Sequence, residues 1–194
     1  MEHGILTLSS LIMIKFHILN QERLINQNQK LLKNMTNIFT IGVYNSTEES
    51  YFQKLLDNKI DVFCDIRQRR GVRGSQYKYV NSNYLQSKLA ELGIKYIYIK
   101  ELAPTNEIRQ KQKDADKFNN ETKKLRTILG QVFVNEYNKQ ILDNFDLDIL
   151  VNELNDLNAQ NPVLFCVEEK DEACHRSLVA KALSNKLSIN IINL

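Results

Sequence analysis

Residues 60–99, IDVFCDIRQRRGVRGSQYKYVNSNYLQSKLAELGIKYIYI, decide the fold. Ile60–Asp65 and Ile94–Ile99 are short runs rich in β-branched and aromatic residues. Between them Leu85, Leu89 and Leu92 recur at helical spacing. Asn81 or Ser82 opens that helix, and Gly93 stands where a helix C-cap favours glycine. Strand, loop, helix and strand in this order form a βαβ unit, whose two strands run parallel.

The same alternation continues on both sides. Upstream, Asn37–Val43 reads as a strand, followed by a helix that Ser46 caps, with Glu49 completing a capping box. Tyr51, Phe52, Leu55 and Leu56 share one face of that helix. Downstream, Asn106 to about Asn158 is helical and polar, anchored by Leu125, Ile128, Leu129, Val132, Phe133, Tyr137 and Leu142. Val163–Val167 is a buried strand; a helix from Ala173 to Leu183 and a last strand at Leu187–Ile192 follow. The expectation is a single three-layer α/β domain over residues 35–194. It has a mostly parallel sheet flanked by helices and an inserted helical region around 106–158. Residues 1–34 read as an extension, either an over-called start ahead of Met35 or a flexible segment. Its apolar run, 5–19, is interrupted by Lys15 and His17 and falls short of the ~20 residues that span a bilayer, so no membrane partner is expected.

Composition limits the function classes without choosing one. The chain has 194 residues, and its 26 basic against 23 acidic side chains give a net charge of +3. That balance does not by itself mark a nucleic-acid binder. With 6 Gly and 2 Pro it is neither collagen-like nor of low complexity. Three cysteines, an odd number in a chain long enough to bury a core, argue against disulfide stapling and point to a reducing cytoplasm.

In an open parallel sheet, ligands bind beyond the carboxyl ends of the strands. Those ends deliver Tyr44, then Asp65 and Arg67 with Arg69, Arg70 and Arg73, then Glu101, and finally Glu168 followed by Asp171-Glu172-Ala173-Cys174-His175-Arg176. Guanidinium groups match phosphate oxygens as a fork, so Arg67, Arg70, Arg73 and Arg176 are the candidate anion ligands. The competing reading has Arg67 paired with Asp65 in a solvated loop. Glu168 and Asp65 are the candidate carboxylates for activating water, or else each only orients an arginine. Tyr44 and Glu101 are candidate substrate contacts. Asp171 is the expected cap of the next helix, whose N-terminal field attracts anions and favours a thiolate at Cys174. Cys174 is then a nucleophile or a small packing residue, and His175 a general acid/base or a donor that fixes the loop. No metal is expected, because neighbouring Cys174 and His175 point apart on a helix and no CxxC or HxxxH spacing occurs. The basic stretch Arg109, Lys111, Lys113, Lys117, Lys123, Lys124 and Arg126 reads as a solvated face.

The segments TIG (40–42), DIR (65–67), GIKYIYIKELAPTNEIR (93–109) and FCVEEKDEACHR (165–176) together resemble the domain of unknown function 488 family. The resemblance runs from about Phe39 to Leu183, and its most specific part is Cys-x-Glu followed by Cys-His-Arg. It implies a compact α/β domain that gathers Asp65, Arg67, Glu168, Cys174, His175 and Arg176 at one site. Leu102-Ala103-Pro104-Thr105 replaces a glycine-rich stretch common in that family and resembles the subset with an inserted helical region. The resemblance implies no reaction and no cofactor.

Three functions fit the residues. The favoured one is a hydrolytic enzyme acting on a nucleotide or nucleic acid, including base or modified-nucleoside processing. The second is a non-catalytic module binding a phosphorylated ligand or nucleic acid. The third is a redox or sulfur-transfer enzyme working through Cys174.

Overall fold

The computed structural model describes Met13, Lys15 and residues 35–72, 74–118 and 126–194, so the expected extension lies almost wholly outside the described residues. β1 (Asn37–Ile41), β2 (Val62–Asp65), β3 (Lys95–Tyr98), β4 (Pro162–Phe165) and β5 (Asn190–Asn193) form one sheet in the order β3-β2-β4-β1-β5. Every ladder is parallel, with Phe39 opposite Val163, and Phe63 opposite both Val163 and Tyr96. The expected α/β architecture is therefore present, and all its strands run the same way.

Successive side chains on a strand face opposite sides, and here that rule separates two cores. Ile38, Val62, Cys64 and Leu164 join one cluster; Phe39, Ile41, Phe63, Val163 and Phe165 join the other. Helices cover both faces, as a parallel sheet requires. On the second face lie α1 (Glu48–Asp57), through Tyr51, Phe52 and Leu55, and α2 (Ser82–Glu91), through Leu85 and Leu89. On the first lie α3 (Asn106–Phe118), α4 (Gln131–Tyr137) with the π-helical turn Asn138–Leu142 that follows it, α5 (Leu147–Asp156) and α6 (His175–Leu187). Among the described residues no helix is long and apolar enough to cross a membrane.

Local boundaries differ where side chains have other employment. α1 is capped by Thr47, whose hydroxyl accepts from Ser50 N while Ser50 Oγ accepts from Thr47 N. The expected cap, Ser46, instead donates its hydroxyl to the Val43 carbonyl at 2.6 Å. Gly93 does follow α2 with φ +72°, the left-handed conformation foreseen for it. Of the expected apolar anchors, Leu56 and Val132 are exposed because their helices turn other faces inward, and Ile128 is exposed in the non-helical stretch ahead of α4; Leu125 lies outside the described residues.

Candidate functional site

The carboxyl ends of β1, β2 and β4 meet the start of α6. Beyond β4 the chain bends at Val167, and the side chains of Cys166 and Glu168 on either side of that bend meet. Cys166 Sγ donates to Glu168 Oε2 at 3.3 Å. A short 3-10 turn, Asp171–Ala173, then delivers Cys174 as the N-cap of α6, with φ −139° and ψ 142°. Asp171 opens that turn and is not the cap. Because Cys174 is extended and lies ahead of the helix, its side chain does not diverge from that of His175: Cys174 Sγ is 3.8 Å from His175 Nδ1, and Cys166 Sγ is also 3.8 Å from it. Of the two grounds for expecting no metal, the divergence of Cys174 and His175 therefore fails. Cys166 Sγ, Cys174 Sγ and His175 Nδ1 all lie within 4.8 Å of one another, and all three residues are buried.

The imidazole is fixed from its far side. Its Nε2 meets the Ile66 carbonyl at 3.1 Å, and the Tyr137 ring packs 5.5 Å away, immediately before the π-helical turn. Burial pushes the Cys174 thiol up, but the Cys166 hydrogen bond and the His175 and Arg176 charges outweigh it and hold it well below its ordinary range. Burial lowers His175, and the Cys174 charge with Glu168 behind it reverses that, leaving the imidazole above its ordinary value.

Glu168 is also held by Arg126, whose Nη2 lies 3.4 Å from Oε1. Arg126 Nη1 pairs with Asp116 at 3.0 Å, its Nε and Nη2 donate to the Ala173 carbonyl, and Gln112 donates to Asp116 at 2.7 Å. Arg126 is thus no part of a solvated face: it is 8% exposed and carries the helical insertion into the site. Both Arg126 and Cys166 escaped the sequence reading. The signals were Gln112 and Asp116 on the same helical stripe as Ile108, and the position of Cys166 directly after the buried strand that leads to Glu168.

The remaining expected residues divide sharply. Arg176 is 1% exposed and spends its guanidinium on the Glu168 and Glu169 carbonyls, at 2.6 and 2.8 Å, and on Thr40 Oγ1. It fixes the loop that carries Glu168. Arg67 is equally buried: Nε and Nη2 meet the two Asp65 oxygens at 2.8 and 2.7 Å, Nη1 meets the Val80 carbonyl, and the guanidinium stacks 4.4 Å over Phe165. Asp65 further accepts from Tyr96, so its oxygens are fully engaged. An anion cannot reach Arg67 or Arg176 without displacing these partners, so the pairing of Arg67 with Asp65 is the arrangement observed. Arg70 is half-buried, 4.3 Å over the Tyr98 ring. Tyr44 is half-buried beside Tyr77, and Glu101 is exposed in the turn after edge strand β3, with β2 and β4 between that strand and β1. Arg73 lies outside the described residues.

A different cationic place stands at the mouth of α3. Arg109 shares a face with Gln112 and Asp116 and has a buried Nε with no hydrogen-bond partner. Burial and the neighbouring Arg69 charge hold it below the usual guanidinium range.

The family model of the domain of unknown function DUF488 matches residues 46–183. No curated protein and no solved structure matches the chain.

Proposed function

The chain belongs to the DUF488 family, and from that premise we propose a hydrolytic enzyme that acts on a nucleotide or nucleic acid with Glu168 as its proton-transferring carboxylate. The observation that carries this reading is the placement of Glu168: a carboxyl 5% exposed at the open end of a parallel sheet, with one oxygen held by Arg126 and the other by Cys166. A general base works from a fixed position within hydrogen-bond reach of the proton it takes, and this carboxyl is fixed from both sides. Arg69 and Arg109, whose like charges are near enough to act on each other, are the cations that favour an anionic substrate. Arg176 acts as a positioning residue through the Glu168 backbone. The three free cysteines suit a reducing compartment such as the cytoplasm.

A second reading, thiol chemistry at Cys174, is supported by the depressed thiol described above. A mass-spectrometric product scan separates the two. The full chain and Glu168→Gln are incubated with DNA and RNA of varied bases and with free nucleotides. A released base or altered nucleotide from wild type alone supports the hydrolytic reading. Turnover retained by Glu168→Gln but lost in Cys174→Ser supports thiol chemistry. Binding without product, sensitive to Arg109→Ala, leaves a ligand-binding module.

A further inference from the structure

We propose that Cys166 Sγ, Cys174 Sγ and His175 Nδ1 together bind one divalent zinc-type metal ion, with the fourth coordination position beside Glu168. The site itself stands on its donors, their geometry and their surroundings. Only the use of that fourth position, to hold a water next to a proton-accepting carboxylate, rests on the hydrolytic reading above.

Four observations converge on it. The donor set is two thiols and an imidazole, the soft mixture that selects zinc over calcium or magnesium. Zinc bonds of about 2.3 Å to sulfur and about 2.1 Å to nitrogen, at tetrahedral angles, place neighbouring donor atoms roughly 3.6–3.8 Å apart. Both sulfurs here lie 3.8 Å from the same nitrogen, so that distance is present before any ligand has to move.

The groups around the imidazole already have the arrangement a metal-bound histidine needs. Nε2–H directed at the Ile66 carbonyl at 3.1 Å sets the tautomer that leaves the Nδ1 lone pair facing both sulfurs. Ser177 Oγ donates to the Cys174 carbonyl at 2.9 Å, and Tyr137 covers the ring, so the ligand-bearing backbone and side chain are both held.

Charge completes the argument. Metal binding takes both thiols as thiolates. Glu168 and Asp116 already share Arg126 as their cation. One divalent ion supplies the two positive charges that offset the two thiolates. Binding therefore adds no net charge to the buried site. The ligands also sit on rigid elements, the exit of β4 and the first turn of α6.

The test is made on the full chain, reduced and freed of metal by chelation, then titrated with cobalt(II) and with zinc(II). The expected result is one equivalent bound per chain, with a thiolate-to-cobalt charge-transfer band and tetrahedral ligand-field bands that zinc displaces. Cys166→Ser and Cys174→Ser should each weaken binding by more than the about 10–100-fold that outer-shell changes cost. Cys64→Ser and Glu168→Gln should retain the band. An octahedral cobalt spectrum without the thiolate band in folded wild-type protein overturns the proposal, with no variant needed. So does wild-type affinity in the folded Cys166→Ser/Cys174→Ser double variant. Metal bound with no product from any substrate overturns the hydrolytic reading and leaves the site standing. Glu168-dependent turnover in protein that gives no thiolate band does the reverse.

Discussion

Gly42 lies so close to Glu168 that a Cβ at residue 42 would stand 1.8 Å from the Glu168 carbonyl oxygen. The backbone after β1 and the backbone after β4 run against each other there, and the obstruction is main chain, which cannot swing aside. Gly42→Ala is expected to cost about 3 kcal/mol, the upper end for overpacking. Gly71→Ala, whose Cβ meets nothing nearer than 3.7 Å, stays within about 1 kcal/mol. Urea denaturation of the two variants checks the contrast.

The buried pair Asp65–Arg67 gives a second expectation. Asp65→Asn leaves Arg67 charged, 3% exposed and without its partner, and should lose about 3–5 kcal/mol. Replacing both residues, Asp65→Leu with Arg67→Met, removes the stranded charge and should cost clearly less. A double-mutant cycle by chemical denaturation measures the coupling, and equal losses in the single and double variants would refute a specific ion pair.

Arg126 belongs to the insertion yet holds a residue of the scaffold. Arg126→Met leaves Asp116 and Glu168 facing each other in a buried space, with an expected loss of about 3–5 kcal/mol. Adding Glu168→Gln to that variant should recover part of the loss, because one of the two stranded carboxylates is then gone. Thermal melts of the single and double variants decide it.

Alkaline pH should loosen the fold before it affects anything else in the core. Burial pushes the Tyr51 phenol and the Cys64 thiol well above their ordinary values. Both therefore stay protonated in the folded chain at pH values where the unfolded chain ionises. Their contribution is fully present below the unfolded values, about 8.5 for the thiol and about 10 for the phenol, and is lost as pH rises from there toward the folded values. The urea midpoint should fall between pH 8 and pH 10.5. In the native protein, Cys64 should also be the last cysteine to alkylate.

Elements formed by near neighbours in sequence were readable; partners brought from afar were not. Leu85, Leu89 and Gly93 announce α2 because a helix is written in residues three and four apart. Asp65, Glu168, Cys174 and His175 could be placed at one edge because strand ends in a parallel sheet share a side. Nothing local says that Arg67 turns back onto Asp65, or that Arg176 is consumed by two carbonyls. A guanidinium reads the same in sequence whether a phosphate or a backbone oxygen awaits it. The Cys174–His175 convergence was misread for a related reason: moving the helix start by two residues changes which side chains meet.

The strand order also sets a timetable for making the protein. β1 and β2 are synthesised early, yet neither pairs with the other; both pair with β4, which emerges only after the whole helical insertion. Until Phe165 has left the ribosome, the nascent chain holds β1 apart from the β2–β3 pair, and every ladder across the seam between them is non-local. Such pairing is slow and leaves unpaired edges open to wrong partners meanwhile. A chain stalled before residue 162 has no closed sheet, while Cys166, Glu168, Cys174 and His175 follow the closing strand directly. The fold and its site are completed by the same last stretch of translation.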